Sequence, residues 1–199
     1  MPKFSICFSF FLSIFWGLFV NFNNLPAQNV PRTKVKNKEA ERERKIRYIE
    51  DIYVYTRDKI SQGKFYLDEY HVNTDSLVWQ DGQTFQWVEY YYYSYLGNSP
   101  SLRLYSHKWQ KDNQMYYIEF LFDIDLTPLF CYQKQNLENQ YKYRELRAYF
   151  EQGQLISLIV DDIIVENFNE YSDKIRNILA DMQDCIHKFQ EQGAVLHKY

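Results

Sequence analysis

Hydrophobic positions near both ends of the chain recur every three or four residues, which is the period of a helix that buries one face. The first stripe consists of Ile46, Ile49, Tyr53, Thr56 and Ile60. The second stripe consists of Tyr171, Ile175, Ile178, Met182, Cys185 and Phe189. Gly63 and Gly193 follow the two stripes, and glycine commonly ends a helix. The pattern predicts a first helix that ends near Gln62 and a second helix from about residue 171 to Gly193.

Between the stripes, aromatic and β-branched residues are concentrated in short runs that turn sequences separate, as is typical of strands. The runs are residues 64–72, 76–79, 84–96, 101–110, 115–123, 128–133, 140–150 and 154–160. Connections such as residues 97–100 are too short for the crossover that parallel strands require, so neighbouring strands must be antiparallel. We expect an α+β fold in which an antiparallel β-meander sheet carries the N-terminal and the C-terminal helix, both packed on one face.

The first 27 residues have the composition of a secretory signal peptide. Lys3 precedes an almost unbroken apolar run over residues 4–20, and Ala27 supplies a small residue for cleavage. The run is also long enough for a short membrane helix, and basic residues follow it at positions 32–38. The pattern favours a secreted or periplasmic protein of a cell that we take to be bacterial. An uncleaved membrane anchor is the alternative.

Composition divides the chain into three parts. Residues 1–27 form the predicted signal peptide, 28–45 a charged spacer and the start of the first helix, and 46–199 a single α+β domain. The 199 residues include 23 Lys and Arg against 26 Asp and Glu, a net charge of −3. Nucleic-acid-binding proteins carry clustered positive charge, so we expect no nucleic acid among the partners. A membrane is a partner only through the N-terminal segment, if that segment stays uncleaved.

The sequence contains no motif for a cofactor, a metal or a catalytic nucleophile. The histidines, at positions 71, 107, 187 and 197, show no ligand spacing, and the isolated glycines cannot form a phosphate-binding loop. Residues 123–127, DIDLT, resemble the nucleophile motif of haloacid-dehalogenase-like phosphatases, but hairpins stand where that family needs crossover helices. We therefore interpret Asp123 and Asp125 as part of a turn that ends a strand, and we predict no cofactor and no metal.

Two cysteines remain after the predicted leader. Cys185 belongs to the apolar stripe of the second helix, and Cys131 lies in an apolar strand segment. If that helix covers that part of the sheet, the thiols come within reach of each other, and an oxidising compartment favours a disulfide. Such a bridge would stabilise the fold by about 2–4 kcal/mol because it closes a long loop. The alternative is a pair of small buried side chains that never meet.

Tyrosine is the most unusual feature of the composition, with 19 residues. Along three predicted strands, alternate residues are aromatic or charged while the others are apolar, so each strand has one polar-aromatic face. We expect the helices to cover the apolar faces and the polar-aromatic face to remain free for a ligand. Its candidate ligand-binding residues are Tyr91, Tyr93, Arg103, Tyr105, His107, Trp109, Tyr117, Glu119 and Arg147. Rings combined with charged groups suit a glycan, peptide or amphipathic ligand, although cross-strand support of an exposed face selects the same residues.

The sequence therefore favours an exported, non-enzymatic domain that binds an unknown ligand or an envelope protein through the polar-aromatic face. A secreted hydrolase is the first alternative, and its candidate groups are His107, Glu119, Glu145 and the pair Asp123 and Asp125. A membrane-tethered structural envelope protein is the second, with residues 4–20 uncleaved and the charged stretch 32–45 as a stalk.

Overall fold

The computed structural model describes the chain at residues 32–72, 85–111, 114–136 and 143–196. The predicted signal peptide, the alternative membrane anchor and the predicted strand at 76–79 lie outside these residues. Among the helices of the described segments, none is long and apolar enough to cross a membrane.

In the described part of the chain, two α-helices flank eight strands. Helix α1 spans Arg32–Ser61, and helix α2 spans Ser172–Leu196 after a 3₁₀ turn at Phe168–Tyr171. The strands are β1 (Tyr66–Val72), β2 (Phe85–Leu96), β3 (Ser99–Lys111), β4 (Gln114–Phe122), β5 (Pro128–Asn136), β6 (Tyr143–Glu151), β7 (Gln154–Val160) and β8 (Ile163–Ile164). Each strand pairs antiparallel with its neighbour in the chain, in the order β1 to β8. The predicted α+β fold with an antiparallel meander and two helices is confirmed.

The ends of the helices match the predictions only in part. Helix α1 begins at Arg32, well before its apolar stripe, because the exposed residues 37–44 are mostly Glu, Arg, Lys and Ala, which favour helix wherever they are solvated. Gly63 follows the end of α1 with a φ of 66°, as predicted. Gly193 does not end α2, which continues to Leu196, so that predicted stop is wrong. A glycine costs only about 1 kcal/mol inside a helix, which the last turn tolerates.

The sheet is covered on both faces, so the prediction that both helices pack on one face is wrong. Successive residues of a strand point to opposite faces, yet the neighbours Phe120 and Leu121 are both buried, in different clusters. Leu121 shares its cluster with Ile49 of α1, whereas Phe120 shares its cluster with Met182 of α2. Helix α1 and helix α2 therefore lie on opposite faces, which we call the α1 side and the α2 side.

The α2 side holds the larger hydrophobic core. Helix α2 contributes its apolar stripe, Ile178, Met182, Cys185, Ile186 and Phe189. The strands contribute a row of buried side chains that runs across the sheet, Tyr91, Tyr105, Phe120, Cys131, Ala148 and Leu158. Burial of each large side chain stabilises the fold by about 1.5–3 kcal/mol, so this stripe fixes α2 on the sheet.

Three β-bulges follow one line across the sheet. Arg103 in β3, Leu129 in β5 and Ile156 in β7 are the extra residues, since the pairing register skips each of them. A bulge bends its strand and increases the local twist, so the aligned bulges bend the whole sheet along one line. The first bulge also changes which face the neighbouring residues occupy. Leu102 packs on the α2 side and Leu104 on the α1 side, although regular alternation along a strand would put both on one face.

Candidate ligand-binding site

The nine predicted ligand-binding residues do not share one face of the sheet. The pairing of β3 with β4 sets Tyr105 opposite Phe120 and His107 opposite Ile118. The aromatic face of β3 is therefore continuous with the apolar face of β4, not with its polar face. Five of the nine residues lie on the α2 side, namely Tyr91, Tyr93, Tyr105, His107 and Trp109. Three lie on the α1 side, namely Tyr117, Glu119 and Arg147, and Arg103 occupies the first bulge.

The α2 side contains a cavity of about 320 Å³ between helix α2 and strands β2 to β4. Four of the predicted residues form part of its wall, Tyr91, Tyr105, His107 and Trp109. Ile118 and Phe120 of β4 add apolar surface. The structure thus brings together these four candidates and places the other five outside the cavity. Tyr105 is only 6% exposed, so its ring is part of the hydrophobic core as well as of the cavity wall.

Glu89 of β2 is the carboxylate at the strand side of the cavity. In the register between β2 and β3, Glu89 lies opposite His107. The Tyr91 hydroxyl donates a 3.0 Å hydrogen bond to its Oε2, and the Tyr105 hydroxyl also bonds to this carboxylate. Burial raises the pKa of both phenols, and the nearby Glu89 charge raises it further. Both tyrosines therefore remain neutral donors that hold the carboxylate in place.

His107 has an incomplete set of partners. Its Nε2 is buried and has no hydrogen-bond partner. The centroid of its ring lies 4.6 Å from the centroid of the Trp109 ring and 6.2 Å from that of the Tyr105 ring. Burial lowers the pKa of His107, and the Lys188 charge lowers it further, while Glu89 acts in the opposite direction. The imidazole ring of His107 therefore lines the cavity in its neutral form, with Nε2 enclosed by protein.

The helix side of the cavity is lined by polar residues of α2 that the sequence reasoning missed. Asp181, Asp184 and Lys188 line the cavity together with Cys185. Burial raises the pKa of Asp181, and so does the like charge of Asp184, against the effect of lysines 174 and 188. The spacing of three and four residues beside the apolar stripe was visible in the sequence. It could have identified these polar residues as the edge of the buried helix face.

A second and larger cavity continues from the first along α2. It has a volume of about 570 Å³ and shares Trp109, Ile118 and Asp181 with the first. Its apolar wall includes Leu146 and Val160. Gln133, Gln135, Arg144 and Lys174 add polar groups. The two cavities thus form an elongated cleft along one edge of α2, and the Trp109 ring lies at their junction.

Glu119 on the α1 side is the centre of a closed polar network. It is 1% exposed, and its carboxylate accepts hydrogen bonds from the hydroxyls of Tyr53 and Tyr117. The Arg57 guanidinium lies 2.8 Å from its Oε1. Burial raises the pKa of Tyr53 and of Tyr117, and the Glu119 charge adds to the shift. This network ties α1 to strand β4 with partners that the chain itself supplies.

The remaining predicted residues have structural contacts outside the cleft. Arg147 forms an ion pair with Asp162, in the turn between β7 and β8. Tyr93 packs against Phe189 with ring centroids 5.4 Å apart. The Nε of Arg103 is buried at the bulge without a partner.

The predicted bridge between Cys131 and Cys185 is absent, since both residues are free, buried thiols. Cys185 lies near Tyr91 and Tyr105 of β2 and β3, whereas Cys131 belongs to β5. Burial raises the pKa of both thiols, so both residues act as small apolar side chains of the core.

The candidate hydrolase groups are dispersed over the molecule. His107 and Glu119 lie on opposite faces of the sheet, so they cannot act together on one bond. Asp123 and Asp125 form the turn between β4 and β5, as the sequence predicted. Asp125 accepts the Thr127 N–H at 3.0 Å, and this bond lowers the pKa of Asp125. Glu145 is 2.8 Å from the Lys134 ammonium group.

Comparisons of the chain with protein-family models, with curated proteins and with solved structures found no match.

Proposed function

We propose that the protein binds a small organic ligand in the cleft between α2 and the sheet. The cavity under α2 carries this proposal, because it combines aromatic walls with polar groups whose orientation the chain fixes in advance. Its volume of about 320 Å³ lies within the ~300–1,000 Å³ of small-molecule sites. The second cavity extends the same cleft, so a longer ligand can also be held.

The unpartnered Nε2 of His107 supports the proposal. A buried polar atom without a hydrogen-bond partner costs about 1–3 kcal/mol, which a ligand group can recover once the imidazole ring turns Nε2 toward the cavity. Stacking on Tyr116 fixes the orientation of the Trp109 ring before a ligand binds. The two ring centroids are 4.9 Å apart and the ring planes differ by 5°. Rings held in this way lose little entropy on binding.

We further propose that the protein performs this binding after export. The support is the sequence of residues 1–27, a basic start followed by an apolar run and a small residue at Ala27. In this hypothesis the ligand is met outside the cytoplasm, and the binding domain carries no catalytic role of its own.

Native mass spectrometry of the protein purified gently from its own cells tests the binding. We expect a non-covalent mass in addition to the polypeptide, and we expect Trp109→Ala to remove it, because the ring lines both cavities. Tyr48→Ala is the matched control, since Tyr48 is 59% exposed on α1 and lies outside the cleft. It should leave the added mass unchanged.

Two results would contradict the proposal. One is a bare polypeptide for the wild type under conditions that preserve non-covalent complexes. The other is an added mass that Trp109→Ala retains while the variant keeps its fold. A polypeptide mass that begins at residue 28 would support export with cleavage of the leader, and the full-length mass would contradict that cleavage.

A further inference from the structure

We propose that the cavity under α2 accepts an organic cation, either an amine or a quaternary ammonium group. This inference rests on the ligand-binding function proposed above and names the chemical class of the ligand. Its observations are the charge of the cavity wall, the aromatic rings beside those charges and the distribution of the carboxylates.

The charge of the wall favours a positive ligand. Three carboxylates line the cavity, Glu89, Asp181 and Asp184, and Lys188 is the cationic residue among the lining groups. An anionic ligand would meet the repulsion of these carboxylates, with Glu89 half-buried and the two aspartates on the exposed rim. A cation instead relieves the repulsion between Asp181 and Asp184.

The aromatic rings provide the second half of such a site. Trp109 and Tyr105 line the same cavity as the carboxylates. A cation over the face of an aromatic ring gains about 0.5–2 kcal/mol, and tryptophan is the most effective ring.

The carboxylates are too dispersed for a metal ion. In the described part of the chain, no three His, Cys, Asp or Glu side chains are grouped closely enough to hold one. Glu89 lies on a strand, whereas the two aspartates lie on the helix that covers it. This separation fits an organic cation that extends between the sheet and α2.

Isothermal titration of the full chain with three probes of one shape tests the inference. Choline is the cation, 3,3-dimethyl-1-butanol is its uncharged analogue and 3,3-dimethylbutanoate is the corresponding anion. We expect choline to bind about tenfold more tightly than the alcohol, which corresponds to about 1.4 kcal/mol of ring and carboxylate attraction. The anion should bind more weakly than the alcohol.

Substitutions on α2 locate the binding of choline. Asp184→Asn, on the exposed rim, should weaken choline binding several-fold and leave the affinity for the alcohol unchanged. Asp173→Asn is the matched control, because it removes the same charge from the same helix outside the cavity. Glu89→Gln should weaken choline further, and its amide oxygen can still accept a hydrogen bond from a tyrosine.

Failure of this inference and failure of the proposed function give different results. If the alcohol or the butanoate binds as tightly as choline or more tightly, and Trp109→Ala abolishes that binding, the preference for a cation is overturned. The ligand-binding function then still stands. Choline binding that Asp184→Asn and Asp173→Asn weaken equally would also overturn it. If none of the probes binds and native mass spectrometry shows no ligand, both proposals are wrong.

Discussion

The two sides of the sheet use similar residues in opposite ways. On the α1 side, a carboxylate, two phenols and a guanidinium satisfy one another around Glu119, which is 1% exposed. On the α2 side, Glu89 holds two phenols, but the same wall contains His107 with an unpartnered nitrogen and a cavity of about 320 Å³. A polar group whose partners all come from its own chain stabilises the fold, whereas a polar group beside an unfilled space can bind a ligand.

The difference originates in the helices. The side chains of Tyr53 and Arg57 on α1 reach the sheet and bond to Glu119. Helix α2 instead lies on an apolar stripe, and its flanking polar residues Asp181, Asp184 and Lys188 line the cavity. Around Glu119, hydrogen bonds join α1 to the sheet, although the buried Thr56 Oγ1 of α1 has no partner, whereas α2 leaves a cleft along one edge.

We expect the largest change in the free energy of unfolding from Glu119→Ala. The substitution leaves the half-buried hydroxyls of Tyr53 and Tyr117 without their acceptor, and it separates Arg57 from its partner. We expect the free energy of unfolding to fall by about 3 kcal/mol, measured by urea denaturation.

Glu151→Ala is the control for the loss of a charge. Glu151 pairs with Lys45 at 2.6 Å, but solvent screens this exposed pair, so its removal should cost far less than the removal of Glu119. If Glu119→Ala costs no more than Glu151→Ala, the α1 side is not held by the network.

Tyr117→Phe should have an intermediate effect. It removes one hydroxyl that donates to Glu119 and retains the ring, so unfolding should become easier by about 1 kcal/mol. The same substitution in a chain that already carries Glu119→Ala should cost nothing, because its acceptor is gone. Tyr48→Phe on exposed α1 surface is the control and should leave the urea midpoint unchanged. Equal costs of Tyr117→Phe in the two backgrounds would show that the hydroxyl acts elsewhere.

We expect the smallest change in the free energy of unfolding from His107→Leu, on the α2 side. Because its Nε2 has no partner, the loss of the imidazole should change the free energy of unfolding at pH 8 by less than about 1 kcal/mol. A cost near that of Glu119→Ala would mean that His107 supports the fold as Glu119 does, and the contrast between the sides would fail.

The same residue gives the α2 side a pH dependence. The pKa of His107 is lowered from 6.5 by burial and by Lys188, although Glu89 opposes the shift. The unfolded chain then binds this proton more readily than the folded chain, so stability is complete above pH 6.5 and decreases as the pH falls below it. Thermal unfolding between pH 8 and pH 5 should show a smaller decrease for His107→Leu than for the wild type. An identical decrease would contradict the role of His107.

The fold was predictable because its signals are local. Short turn sequences force neighbouring strands to be antiparallel, and two periodic stripes define the helices whatever their partners are. The turn at Asp123 and Asp125 was predictable for the same reason. The start of α1 was less so, since polar residues with high helix propensity carry no periodic pattern.

The assignment of residues to faces required information that no single strand contains. It depends on the register between strands, and the bulge at Arg103 reverses which side of β3 its neighbours occupy. One signal was present: residues 118–122 of β4 are apolar on both faces, apart from Glu119. Such a run is typical of a strand covered on both sides, and it argued against a free face.

The cavity was predictable only in part. The strand pattern predicts that Tyr91, Tyr105, His107 and Trp109 suit a ligand, but it places them on an exposed surface. The contribution of α2 depends on how the helix is placed over the sheet. That placement follows from the packing of the apolar stripe of α2 on the sheet. The spacing of the polar residues of α2 indicates it only once the face of the sheet that α2 covers is known.

A crystal structure of the protein purified from its own cells tests the contrast between the two sides most directly. We predict electron density for an organic ligand in contact with Trp109 and His107, and none between α1 and the sheet. The Glu119 carboxylate should be bonded only to Tyr53, Tyr117 and Arg57. A cleft that α2 side chains fill without a ligand, or a ligand bound at Glu119, would contradict the account.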